Sequence, residues 1–78
     1  MTNQIPPILR NGDQGTYVER LQHELSQLGY QIGSVGVFDE TTENVVKKFQ
    51  QDYNLTVDGI VGPQTGRQIG VALASAKS

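Results

Sequence analysis

Apolar side chains recur at three- and four-residue intervals in two stretches of this chain. One holds Val18, Leu21, Leu25 and Leu28; the other holds Thr42, Val45, Val46, Phe49 and Tyr53. That spacing gathers each set onto one face of a helix and predicts amphipathic helices over about Thr16–Leu28 and Glu40–Tyr53. In the second, Lys47, Lys48, Gln50 and Gln51 fall on the polar side. A weaker pattern of Thr65, Ile69 and Leu73 follows Pro63, whose missing N–H is no loss at a first helical position, and predicts a third helix over Pro63–Leu73. The ends are marked as well. Thr16 and Glu19 fit a capping box. Asp39 suits an N-cap, with Glu40 and Glu43 complementing the helix dipole. Gly29 and Asn54 suit the left-handed position that ends a helix.

The segments between these stretches are short. Arg10–Gly15 is a turn cluster. Tyr30–Phe38 reads as a loop or short extended stretch, with Ile32, Val35 and Val37 partly inward. Leu55–Val61 crosses to the third helix with Leu55, Val57 and Ile60 inward. Ile8 and Leu9 are the first core candidates. Residues 1–8 read as a flexible arm and 74–78 as a frayed tail, which leaves 9–73 as one domain. Gly66 and Gly70 weaken the third helix by about 1 kcal/mol each relative to alanine, or allow another helix to approach closely. The expected architecture is an all-α, compact three-helix bundle.

The two turns that join the helices look like copies. Gly36-Val37-Phe38-Asp39-Glu40-Thr41-Thr42 aligns with Gly59-Ile60-Val61-Gly62-Pro63-Gln64-Thr65, and each is preceded by a helix seed, Val18-x-x-Leu21-Gln22 or Val46-x-x-Phe49-Gln50. The spacers differ in length, so the seeds and turns alone make an internal pseudo-repeat.

Composition narrows the function. The chain has 78 residues, a net charge of −2 and no cysteine. A core this small must hold without disulfides, and thiolate metal sites and cysteine nucleophiles are ruled out. The six basic residues are scattered, whereas phosphate binding needs them clustered, so nucleic acid is not the expected partner, a helix-turn-helix reading included. No apolar run approaches the roughly 18 residues of a membrane span. Met1–Pro7 lacks a basic region followed by an apolar one and is not expected to act as a signal peptide. His23 is the only histidine, which argues against a zinc site. Asp39, Glu40 and Glu43 lack the alternating oxygen ligands of a calcium loop. Neither Ser26 nor Ser34 sits in a nucleophile motif, so the expectation is a binding module without cofactor or metal and not an enzyme.

Four residues stand out as ligand-binding candidates. Tyr30 and Tyr53 each combine an apolar ring face suited to a sugar with a polar tip, or they cover the edge of the core. Gln50, like Gln22, is placed to hydrogen-bond either a loop or a ligand amide. Asp58 either braces its turn through backbone N–H groups or accepts hydrogen bonds from a ligand.

Leu9-x-x-Gly12-Asp13-x-Gly15-x-x-Val18-x-x-Leu21-Gln22-x-x-Leu25-x-x-Leu28-Gly29-Tyr30 resembles the opening of the peptidoglycan-binding domain family. Val46-x-x-Phe49-Gln50 followed by Leu55-x-Val57-Asp58-Gly59-Ile60-Val61-Gly62-Pro63-x-Thr65 resembles its second half. The resemblance spans residues 9–73. It implies a non-catalytic module that binds peptidoglycan and tethers a cell-wall hydrolase or another assembly to the wall. It also implies a monomer located in the wall or outside the cell, within a longer or exported protein. Three positions depart from the family pattern. Ser34-Val35-Gly36 stands where Val-Asp-Gly is usual, Asp39 replaces a glycine, and Gly66 replaces an aromatic after the turn threonine. These departures motivate an alternative: a protein–protein adaptor that keeps the fold without binding the wall.

Overall fold

The computed structural model describes residues 7–76, and in them the chain forms helices α1 (Thr16–Gln27), α2 (Glu40–Asp52) and α3 (Pro63–Ala76). The periodic residues Val18, Leu21 and Leu25 of α1, Val46 and Phe49 of α2 and Ile69 of α3 are buried as expected, together with Leu9, Phe38 and Val61; on α3 Ala72 is buried as well, while the expected Leu73 is only half-buried. No extended strand forms among the described residues. Two isolated antiparallel bridges, Leu9–Val61 and Gln14–Val37, pin the segment before α1 to the two interhelical turns.

The start of α1 differs from the capping box. Thr16 is already helical, and the cap is Gly15, with φ 114° and ψ −166° and no side-chain hydrogen bond. Those angles belong to a region that only glycine enters readily. The Gly15 carbonyl accepts from the Glu19 N–H at 3.0 Å, and its own N–H donates to the Gly36 carbonyl at 3.1 Å. A residue with a side chain would have supplied the cap; here the backbone supplies both bonds. The start of α2 follows the expectation. The Thr42 N–H donates to Asp39 Oδ1 at 2.9 Å, and that bond holds the Asp39 carboxyl below its usual pKa range. Gly29 and Asn54 both take positive φ after their helices.

Several burial expectations fail in the loops, which turn on hydrogen bonds more than on buried apolar side chains of their own. Ile8, Val35, Val37 and Val57 are exposed, and Ile60 is only half-buried, while its neighbour Val61 is the core residue. Gln50, expected on the water side of α2, is 1% exposed. The third helix continues to Ala76, so residues 74–76 are helical and not a frayed tail. Residues 1–6 of the expected arm and 77–78 of the expected tail lie outside the described residues. Gly66 and Gly70 do not mediate close helix packing, since a Cβ added at either would meet nothing within 4 Å.

Candidate functional site

The internal repeat becomes concrete in two buried glutamines. Gln22 on α1 donates through Nε2 to the Ser34 carbonyl (2.8 Å), the Val37 carbonyl (2.9 Å) and Thr42 Oγ1 (2.9 Å), and its Oε1 accepts from the Gly36 N–H (2.7 Å). Gln50 on α2 donates to Asp58 Oδ1 (2.9 Å), the Ile60 carbonyl (3.1 Å) and Thr65 Oγ1 (3.1 Å), and accepts from the N–H groups of Asp58 and Gly59, both at 3.0 Å. Each amide is enclosed by the turn that follows its helix, and each turn closes on the threonine of the next helix. A carboxamide suits this position because it is at once donor and acceptor. No buried side-chain nitrogen or oxygen among the described residues lacks a partner.

This arrangement joins two of the four ligand candidates. Asp58 Oδ1 accepts from Gln50 and from the Ile60 N–H at 2.9 Å, and the Ile60 bond, followed by the Gln50 bond, depresses the Asp58 pKa. Both side chains thus form the internal frame of the second turn. Asp58 remains exposed at the surface, whereas Gln50 is enclosed.

Tyr30 and Tyr53 meet on either side of Phe49. Tyr53 stacks on the Phe49 ring with centroids 4.4 Å apart and an interplanar angle of 28°. Tyr30 meets the same ring edge-on at 6.1 Å and 71°. The Tyr30 hydroxyl donates to Asp52 Oδ2 at 2.6 Å, and Lys48 Nζ lies 3.4 Å from Asp52 Oδ1. Burial, then the hydrogen bond to the Asp52 carboxylate, raises the Tyr30 pKa well above its ordinary value; the same bond lowers that of Asp52. With Phe49 fully buried beneath it, Tyr53 is 37% exposed, a ring anchored on one side only.

A second surface lies apart from all four candidates. A groove of about 420 Å³ runs between α1 and α3. Leu9, Leu21, Val61 and Ile69 form its apolar base, Gly66 and Gly70 leave one side without side chains, and Tyr17, Arg20, Glu24 and Arg67 contribute aromatic and charged groups. Arg20 pairs with Glu24 at 3.4 Å; among the described residues Arg67 has no ion-pair partner. The departure at Gly66 is the signal that points to this groove, because a large side chain there would stand in it. Among the described residues no group of three or more histidine or acidic side chains is placed to hold a metal ion.

The sequence profile of the peptidoglycan-binding domain family matches residues 14–69. The chain is 33% identical over 73 residues to the N-acetylmuramoyl-L-alanine amidase CwlL of Bacillus licheniformis, covering 90% of this chain and 20% of the amidase. It is 41% identical over 56 residues to the N-acetylmuramoyl-L-alanine amidase CwlM of Mycobacterium tuberculosis, covering 70% of this chain and 14% of that protein. The chain therefore spans a fifth or less of the length of these relatives. Among solved structures, a peptidoglycan-binding protein from Clostridioides difficile in complex with glutamine hydroxamate superimposes with a TM-score of 0.80 at 38% identity, covering 83% of this chain and 41% of that one.

Proposed function

This chain belongs to the peptidoglycan-binding domain family, and from that premise we propose that it is a non-catalytic module that holds a larger protein on bacterial peptidoglycan. The observation that carries the reading is the profile match over residues 14–69, which contains both glutamine-centred turns. Its relatives are amidases several times longer, so the partner is a catalytic wall-cleaving domain, and the place of action is the wall, within a longer or exported protein. The module acts as a monomer.

The contact surface is the aromatic face. Tyr53 presents the ring side turned away from Phe49 to a sugar, and Asp52 and Lys48 flank it with an acceptor and a donor for hydroxyl and amide groups. Tyr30 fixes Asp52 in place through its hydroxyl. Gln50 and Asp58 contribute by setting the shape of the adjoining turn, with the free edge of the Asp58 carboxylate as a further acceptor. One such surface binds weakly, and the repeated sites of an insoluble polymer supply retention through avidity.

Co-sedimentation with purified sacculi tests this reading. The folded domain is expected to pellet with sacculi saturably, and Tyr53→Ser to weaken retention by about fivefold, as the loss of one aromatic contact of ~1 kcal/mol implies. A folded domain that stays in the supernatant at low and high salt would remove the wall as ligand and move the reading to the protein–protein adaptor.

A further inference from the structure

We propose that Asn11 is a modification site: it loses ammonia to form an imide with Gly12 when the turn holding it opens, and the product loosens that turn for good. Of Asn3, Asn11, Asn44 and Asn54, only Asn11 precedes a glycine. Glycine has no Cβ to crowd its own nitrogen, so it best permits the approach of that nitrogen to the carboxamide. Asn11 and Gly12 are both exposed, so solvent supplies the base and the water. The Gly12 nitrogen gives up its proton and bonds to Asn11 Cγ. The carboxamide nitrogen takes up a proton and departs as ammonia, leaving a five-membered imide. Water then opens one of the two imide C–N bonds, and the product is aspartate or its β-linked isomer.

The fold gates the first step. The Gly12 N–H donates to the Phe38 carbonyl at 2.9 Å, and the Phe38 N–H donates to the Asp13 carbonyl at 2.8 Å. Phe38 is fully buried, so this pair ties the turn to the core. Across the turn, the Asp13 N–H donates to the Arg10 carbonyl at 3.0 Å, and the Arg10 N–H donates to Asp13 Oδ2 at 3.0 Å. Asn11 Nδ2 itself donates to Glu43 Oε1 at 3.3 Å. A nitrogen committed to Phe38 does not attack, so the reaction draws on the locally opened state. Asp58-Gly59 carries related chemistry, but there the Gly59 N–H is buried against Gln50 Oε1 at 3.0 Å and Asp58 Oδ1 accepts from two donors. The exposed turn is the reactive one of the two. Its product undoes the gate: a carboxylate at position 11 faces that of Glu43, and the β-linked isomer carries an extra backbone methylene before Gly12, so the two bonds to Phe38 no longer form together.

The experiment ages the full chain in mildly alkaline buffer, folded and in urea, with peptide-mapping mass spectrometry and thermal melting of each sample after return to native buffer. In urea, Asn11 is expected to convert ahead of Asn44 and Asn54. In the folded chain it should convert about ten- to a hundredfold more slowly, as two or three closed hydrogen bonds imply. Folded Asp13→Ala removes one brace and leaves Asn11 and Gly12 in place; it should speed conversion about three- to tenfold and leave the rate in urea unchanged. The converted chain should melt below the unconverted one, and Asn11→Gln should keep its mass and its melting temperature on the same schedule. Conversion in urea no faster at Asn11 than at Asn44 and Asn54, equal rates folded and in urea, no response to Asp13→Ala, or a converted chain that melts like the original would each overturn the proposal.

Discussion

In the first interhelical turn, the Gln22 carboxamide is answered by two backbone carbonyls and a threonine hydroxyl; in the second, Gln50 meets one carbonyl, one hydroxyl and the carboxylate of Asp58. The loops that present these groups differ in length, with 20 positions between Gln22 and Thr42 and 15 between Gln50 and Thr65. The longer loop bends far enough for the Ser34 carbonyl to supply an acceptor. The shorter one uses a side chain, and that same side chain also receives the Ile60 N–H. What is shared is the minimum: glutamine, a glycine N–H at positive φ, one carbonyl and a threonine. Asp58 is therefore a local solution to a short loop. Val35, at the matching place in the first turn, stands 67% exposed with no such part to play.

The comparison breaks most sharply if the second amide is made acidic. Gln50→Glu would set two carboxylates against each other where 2.9 Å now separates donor and acceptor, and would leave the Ile60 carbonyl without its donor. A loss of about 3 kcal/mol or more is expected in denaturant unfolding, against a smaller loss for Gln22→Glu, which faces no charge. The Gln50→Glu deficit should shrink in acid, as one carboxyl of the pair takes up a proton. Equal losses at neutral pH would show that the two turns are energetically interchangeable.

Alanine at the turn glycines probes the same contrast more gently. Gly36 and Gly59 have φ of 96° and 75°. An L side chain there costs about 1–2 kcal/mol. Gly59→Ala should be the costlier because its Cβ would lie 3.0 Å from Glu43 Cγ and 3.1 Å from Lys47 Cε, whereas at Gly36 the nearest atom, Glu19 Oε2, is 3.5 Å away. Melting temperatures of the pair would rank them.

Asp58→Ala removes an acceptor shared by two donors and should cost about 1 kcal/mol. Val35→Asp should be neutral to within about 0.5 kcal/mol, because the Ser34 carbonyl already fills that role. A gain beyond that would mean the first turn lacks a partner. The smallest effect is the pH dependence. The Asp58 pKa is lower folded than unfolded, so the unfolded state binds more protons as pH falls. Its contribution is complete above the ordinary aspartate range of ~4 and disappears as pH drops through the depressed value. Unfolding curves of wild type and Asp58→Asn should therefore converge toward low pH.

Much of the fold was legible because helix signals are local. The stripes of α1 and α2, the Asp39 cap and the glycine turns are set by neighbours in sequence, and they stand where the spacing places them. Burial inside the loops was not legible. Val57 and Val61 carry the same side chain, and only the pairing of Val61 with Leu9 decides which one enters the core. The Thr16–Glu19 pattern failed because Gly15 takes a conformation that supplies backbone partners to the helix start. Of the candidate site, the tyrosines were visible as residue types, but their meeting on Phe49 depends on how the loop after α1 returns to α2. The groove was hidden because it is made by Arg20 and Arg67 from opposite ends of the chain and by the lack of a side chain at Gly66.

The Leu9–Val61 bridge has a mechanical consequence. Leu9 donates to and accepts from Val61, at 3.1 and 2.8 Å, in antiparallel orientation. The chain running back from Leu9 and the chain running on from Val61 therefore leave the pair toward the same side. Tension between the two ends peels this pair apart instead of shearing it, and peeling ruptures at low force. Because Leu9 and Val61 also form part of the base of the α1–α3 groove, tension applied between the two ends of the chain would open the floor of that groove.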